Sequence, residues 1–233
     1  MYLFYTNKIE EDWAVLDQAE ARHCVQVLRM KVGDSVQFVD GKGTWYAGQL
    51  AEVHKKACRI AISKRQKQAP ATAVDLHLAV APTKNIDRLE WFLEKSTEIG
   101  ISRVTPLLCQ RSERKKLRPE RLERVLIAAM KQSLKAQLPI LNPLQKLQDF
   151  LSTIDSEQKF IAHCNPGQKK LLKDIYTAGK SVCILIGPEG DFVEGEVELA
   201  KQHGFEAISL GEARLRTETA AIVACHSINF MNQ

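Results

Sequence analysis

The sequence predicts an α/β protein with a mostly parallel sheet covered by helices, preceded by a small domain of short strands. Three observations carry this. After about residue 74, apolar strand-like runs alternate with helix-periodic segments. Before residue 65, short strand patterns and turn residues dominate. Between them, KRQKQAPATA (64–73) is polar, then rich in Ala and Pro, with no periodicity, and reads as a linker. The expected domains are therefore 1–68 and 72–233.

In the first domain a short helix is expected at Ala19–Leu28. SVQFVD (35–40) and WYAGQLAEVH (45–54) flank Gly41–Gly43, a hairpin signal, and CRIAISKR (58–65) alternates apolar and polar residues as a half-buried strand should. Short strands in this number suggest a small barrel. In the second domain the expected strands are 74–81, 103–109, 159–164, 181–187 and 206–211. The expected helices lie near 85–99, 119–137, 168–178, 194–203 and 218–230. Ile86, Leu89 and Leu93 share a face of the first of these helices, and Gly100 is placed to end it. Ala221, Ala224, Cys225 and Ile228 form the apolar stripe of the last.

Composition excludes several classes. The chain has 233 residues, 45% of them apolar, which is ordinary for a globular protein. No window approaches the length of a membrane span, and MYLFYTNKIEEDW lacks the pattern of a signal peptide. The cysteines Cys24, Cys58, Cys109, Cys164, Cys183 and Cys225 form no C-x-x-C pair. They read as buried free thiols in a reducing cytoplasm, not as a zinc site or disulfide framework. Net charge is only +5, but nine basic residues between Arg111 and Lys135 face three acids, Glu113, Glu120 and Glu123. That local excess points to a polyanion partner or to a solvated helix face.

Two strand ends carry more chemistry than folding requires. In open α/β sheets, ligands bind beyond the carboxyl ends of the strands. Ile186-Gly187-Pro188-Glu189-Gly190 follows an apolar run. Its glycines let backbone approach a ligand, and its glutamate can accept hydrogen bonds. SLGEARLRTETAA (209–221) joins a strand to a helix. Thr217 is expected to cap that helix and Glu218 suits its dipole. Arg214, Arg216 and Thr219 are left without a structural reason. Arginines just before a helix N-terminus oppose the dipole, so a negative partner is expected. There is no G-x-x-x-x-G-K-[ST], no G-x-G-x-x-G after a strand, no H-E-x-x-H and no G-x-S-x-G.

IGPEGDF (186–192) followed by LGEARLRTETA (210–220) resembles the paired signature of the ribosomal RNA small subunit methyltransferase E family. These are SPOUT-class enzymes that methylate N3 of a uridine in small-subunit (16S) ribosomal RNA. RHCVQVLRMKVGD (22–34) and VDGKG (39–43) resemble the family's N-terminal PUA-like barrel. KNIDRLEWFLEKSTEIGI (84–101), RSER (111–114) and AAMKQSLKAQLP (128–139) resemble, in order, its later motifs. Departures are Asp191 where a third glycine is usual, Lys135 where arginine is, and Ala213-Arg214 in place of an arginine and an aliphatic residue.

The resemblance implies a deep trefoil knot in the C-terminal half, with S-adenosylmethionine bent inside it. The loops after Cys164, Ile186 and Ser209 would wall the cofactor, and the backbone of Leu210, Gly211 and Leu215 would meet the adenine. Gly187, Glu189, Gly190, Thr217 and Thr219 complete the implied cofactor set. Arg216 is the expected anion stabiliser and Glu218 the expected base. Arg22, Arg29, Lys31, Arg111, Arg114, Gln132 and Lys135 would grip the RNA. A homodimer acting in the cytoplasm on the small ribosomal subunit is implied, with no metal and no membrane. Two alternatives stand beside it: a SPOUT methyltransferase acting elsewhere on RNA, such as a transfer RNA ribose, and a non-catalytic RNA-binding assembly factor.

Overall fold

Apolar residues at every second position build the first sheet. The protein is described by a computed structural model covering residues 2–233. The N-terminal unit runs to Ala71 and includes Ile127–Leu138. It contains β1 (Leu3–Tyr5), β2 (Trp13–Leu16), α1 (Gln18–Arg22) continued by a π-helical turn (His23–Val27), β3 (Ser35–Val39), β4 (Thr44–Val53) and β5 (Cys58–Lys67). The strand order is β1-β3-β4-β5-β2, with β1 parallel to β3 and the other pairs antiparallel. Tyr46, Gly48 and Leu50 of β4 turn inward by the two-residue period. Their neighbours in the core are Phe4, Leu16, Cys24, Phe38 and Ile60.

Two expectations fail here, and two strands were not anticipated. β1 and β2 are too short to announce themselves. β5 continues to Lys67, so part of the expected linker is strand, its last residues paired with Thr44 and Trp45. The helix expected over 119–137 ends at Gln132, because Leu134 adopts a positive φ of 55°. Met130 in its last turn and Ala136 beyond it are buried against Leu3 and Val39, so the segment Ile127–Leu138 groups with the N-terminal unit.

The second unit comprises Thr72–Leu126 and Pro139–Gln233. Its elements are β6 (Leu76–Val80), α2 (Ile86–Ile99), β7 (Arg103–Leu108), the start of α3 (Pro119–Gln132), β8 (Ile140–Leu141), β9 (Gln145–Lys146), α4 (Leu147–Leu151), β10 (Gln158–Ala162), β11 (Lys170–Leu171), α5 (Leu172–Ile175), β12 (Val182–Ile186), α6 (Glu194–Gln202), β13 (Glu206–Ser209) and α7 (Thr217–Met231). The 8-stranded sheet has the order β11-β13-β10-β12-β6-β7-β8, with β9 beside β7, and its pairs are parallel. Every residue of β6 and β12 is buried, as central strands of a helix-covered parallel sheet should be.

The Asn85 side chain caps α2 through the Asp87 amide, and Gly100, at φ 129°, ends it. α7 docks on that end. The Asn229 amide donates to Gly100 O at 2.7 Å, and Ala221, Ala224, Cys225 and Ile228 are fully buried. The helix expected over 168–178 is instead two residues of strand and the four-residue α5, which packs little more than Leu172 inward.

Candidate active site

The strand order sets β13, β10 and β12 side by side and parallel, so the loops leaving their carboxyl ends meet. Together they enclose a cavity of about 400 Å³. Cys164 lines it from the first loop. Ile186, Gly187 and Glu189 line it from the second. Ser209, Leu210, Gly211, Leu215, Arg216 and Thr217 line it from the third. Of the expected cofactor set, only Gly190 and Thr219 are off the wall, and Glu218 is off it as well.

The loops are tied to one another by short polar contacts. A Cβ at Gly187 would come within 3.0 Å of the Phe192 ring, which is fully buried, so no larger residue fits without displacing the core. Asp191 sits at φ 63°, a conformation that explains why glycine is usual there. Its carboxylate accepts from Cys164 N at 2.7 Å and from Phe192 N at 2.8 Å, binding the first loop to the second. Glu189 Oε1 accepts from Lys84 N at 2.9 Å. Ser209 Oγ bonds both the carbonyl and the amide of Gly211, whose φ of 132° only glycine adopts easily.

Thr217 does not cap α7. It is the first helical residue, and its hydroxyl donates to Gly187 O at 3.0 Å, pinning the third loop to the second. Arg216 holds the cap position without a side-chain cap bond, leaving its exposed guanidinium on the cavity wall.

A model of the RNA methyltransferase domain matches residues 70–229, and one of the RNA methyltransferase PUA domain matches 16–63. A ribosomal RNA small subunit methyltransferase E from Rickettsia conorii is 30% identical over 207 residues, covering 88% of this chain and 84% of that one. The chain belongs to the ribosomal RNA small subunit methyltransferase E family.

A "probable rRNA-methyltransferase" from Porphyromonas gingivalis superposes with a TM-score of 0.92 at 38% identity, covering 99% of each chain. A ribosomal RNA small subunit methyltransferase E from Neisseria gonorrhoeae, solved bound to S-adenosyl methionine, superposes at 0.88 with 26% identity, covering 100% of this chain and 98% of that one.

Within this methyltransferase the basic segment is less free than its sequence implies. Arg111 Nη1 donates to Gly190 O at 2.7 Å, and Arg114 donates to Thr83 O and Lys84 O at 3.0 and 2.6 Å. Both bond loop carbonyls at the site. Arg121 pairs with Asp87 and Glu90, and Lys131 with the buried Glu20. Arg22, Arg29 and Lys31, in the N-terminal unit, are exposed, as is Gln132, while Lys135 is half-buried.

Sequence reasoning missed Arg88, His163 and Asp191 on the cavity wall, whereas Arg214, singled out ahead of α7, does line it. Arg88 had a legible signal. It stands in the first turn of α2, where a cation opposes the dipole, the same argument that singled out Arg214 and Arg216. Burial, with Lys169 and Lys201 nearby, pushes the His163 imidazole below its ordinary pKa, and both ring nitrogens lack hydrogen-bond partners among the described residues. Five of the six thiols are buried, and Cys164 alone is exposed.

Glu218 is buried behind Arg88, with Oε1 3.8 Å from Arg88 Nε. A general base must come within about 2.6–3.2 Å of the group it deprotonates. From behind the wall it is placed to hold Arg88.

Proposed function

We propose that this chain transfers the methyl group of S-adenosylmethionine to N3 of a uridine in the 16S RNA of the small ribosomal subunit, acting as a homodimer. The C-terminal unit would carry the trefoil knot and the N-terminal unit a PUA-like barrel. The single observation that carries the reading is the cavity made by the IGPEGD and LGEARLRT loops at adjacent strand ends. Family membership and the cofactor named for the Neisseria gonorrhoeae structure support it.

The residues present fit that cofactor. A volume of about 400 Å³ is of ligand size. Glu189 and Asp191 on the wall suit its sulfonium and ammonium charges, and Arg214 suits its carboxylate. Backbone groups of Leu210, Gly211 and Leu215 would hold the adenine, which explains a glycine at the lip.

When bound, the cofactor would supply an electrophilic methyl to the uracil N3, with the N3–H proton lost to water and the C–S electron pair left on sulfur. The protein holds the base in line. Arg216 stabilises negative charge developing on the uracil oxygens. Exposed basic residues, Arg22, Arg29 and Lys31 among them, grip phosphates and position the RNA without reading its sequence.

The test is methyl transfer from labelled S-adenosylmethionine to undermodified small subunits, with nucleoside analysis. N3-methyluridine is expected. Label in another nucleoside would move the target. A thermal shift with S-adenosylhomocysteine but no label on any RNA would favour the assembly-factor alternative.

A further inference from the structure

A second, polar cleft shares two residues, Arg88 and Glu189, with the cofactor cavity. Its other walls are Lys84, Asn85 and Glu113. Arg88 therefore faces both spaces. Its side chain is 40% exposed, and its one partner among the described residues is Glu218, at 3.8 Å.

That separation is an ion pair without a hydrogen bond. A guanidinium serving only to tie α2 to α7 would close on the carboxylate bidentately. Here it stays back, with its donors uncommitted. Glu218 is buried, and its Oε2 lacks a hydrogen-bond partner among the described residues. It stands in the first turn of α7, at the positive end of that helix's dipole. The arrangement is a fixed anion behind a cation that reaches forward from a position its own helix dipole disfavours.

The cleft selects among ligands. Lys84 Nζ pairs with Glu113 at 2.9 Å and Lys84 N donates to Glu189 Oε1 at 2.9 Å, so the cleft sets two acids against two cations and has no net charge to draw a phosphate or carboxylate. The Arg88 guanidinium and the Asn85 side-chain amide are the donors beside those carboxylates. A neutral base edge that alternates carbonyl oxygens with an N–H matches this mixture.

We propose that Arg88 is a catalytic residue that touches the target base. Its guanidinium donates to a carbonyl oxygen beside the methylated nitrogen, and Glu218 is the positioning residue that fixes it. As the base loses its proton, charge grows on that oxygen and Arg88 is already in place to stabilise it. This inference rests on the reading of the chain as a uridine methyltransferase.

The experiment compares wild type, Arg88→Ala, Arg88→Lys, Glu218→Gln and the double variant Arg88→Ala/Glu218→Gln, each checked for folding by thermal melting. Transfer to small subunits is measured at saturating cofactor, and S-adenosylhomocysteine affinity is measured by calorimetry. Arg88→Ala should slow transfer about 100-fold, the size expected for one preorganised donor, with cofactor affinity little changed. Arg88→Lys should recover part of the rate. Glu218→Gln should slow transfer about 10-fold and add nothing in the Arg88→Ala background, because groups acting through one contact are non-additive.

Transfer by Arg88→Ala at the wild-type rate overturns the inference. So does a loss of cofactor affinity as large as the loss of rate, which would move Arg88 to the cofactor. Additive losses in the double variant would return Glu218 to an independent role and overturn the positioning claim. If the wild type labels another nucleoside, the proposed target falls while the Arg88 comparison still stands on that nucleoside. If it labels none, the functional reading fails and the inference fails with it.

Discussion

Asp191 does two things at once. It holds a left-handed turn at φ 63°, and its two carboxylate oxygens accept from backbone amides, those of Cys164 and Phe192. Aspartate tolerates that conformation better than most residues because its short side chain bonds locally. Asp191→Gly loses the bonds but relieves the backbone, whereas Asp191→Ala loses the bonds and keeps a Cβ at positive φ. The alanine variant should be about 1 kcal/mol less stable than the glycine variant; equal denaturant midpoints would contradict this account. Arg216 is exposed on the wall with no cap duty. Arg216→Ala should lower methyl transfer by about 100- to 1,000-fold while S-adenosylhomocysteine affinity barely moves, as for loss of an oxyanion donor. His77 is a different case, far from chemistry. Burial, then Arg103, push it from 6.5 to about 3, so the native state keeps it neutral. Its Nε2 lies 2.7 Å from Thr105 Oγ1, which also accepts from Asn142. The unfolded chain binds a proton below pH 6.5 that the fold refuses. Stability from this group is complete above that pH and falls on acidification, by about 1.4 kcal/mol per pH unit. Chemical denaturation at pH 7 and pH 5 should show the slope, and His77→Gln should flatten it.

The elements legible in the sequence were those with enough residues to show a period. α2, α6 and α7 run over three or more residues of apolar stripe and carry end signals such as Gly100, and their boundaries fall within two residues of expectation. β6, β7, β10, β12 and β13 were visible as apolar runs. β8, β9, β11 and α5 were not, because two to four residues contain no periodicity and tertiary pairing alone makes them strand or helix. The same limit governs the site. Loop glycines and threonines were found, but Arg88 reaches the cavity from α2 through folding, and Asp191, inside the recognised loop, was seen only as a departure from glycine. Thr217 shows the difference. Sequence assigned its hydroxyl to a cap, whereas the fold spends it on Gly187 O. Thr217→Val keeps the shape of the helix start and leaves that buried carbonyl unpaired, a loss of about 1–3 kcal/mol. The loop over Gly187–Gly190 should loosen too, so calorimetry should show weaker S-adenosylhomocysteine binding. A Val variant with unchanged melting and unchanged affinity would remove this tie from the design of the site.

At the scale of the whole chain, the decisive feature is that the N-terminal unit is not an N-terminal piece. The chain leaves it after Ala71, returns for Ile127–Leu138, and leaves again. Met130 is fully buried and Ala136 nearly so, packed with Leu3 and Val39, and Lys131 neutralises the buried Glu20. Gly43 N and Leu138 N close the segment onto the turn between β3 and β4 through Ala136 O and Gly41 O. A cut at the apparent linker therefore separates groups that are buried together. A fragment of residues 72–233 would expose Met130 and Ala136, and residues 1–71 would strand the Glu20 carboxylate without its cation, a costly state for a buried charge. Neither fragment should behave as an independent module. The 72–233 fragment should melt well below the full chain and self-associate in sedimentation, and adding residues 1–71 in trans should restore part of the melting temperature. The cofactor cavity lies wholly within the second unit, so S-adenosylhomocysteine should still stabilise the fragment by mass action. A fragment that is monomeric and as stable as the full chain would show that Ile127–Leu138 contributes nothing to the fold beyond its own helix end.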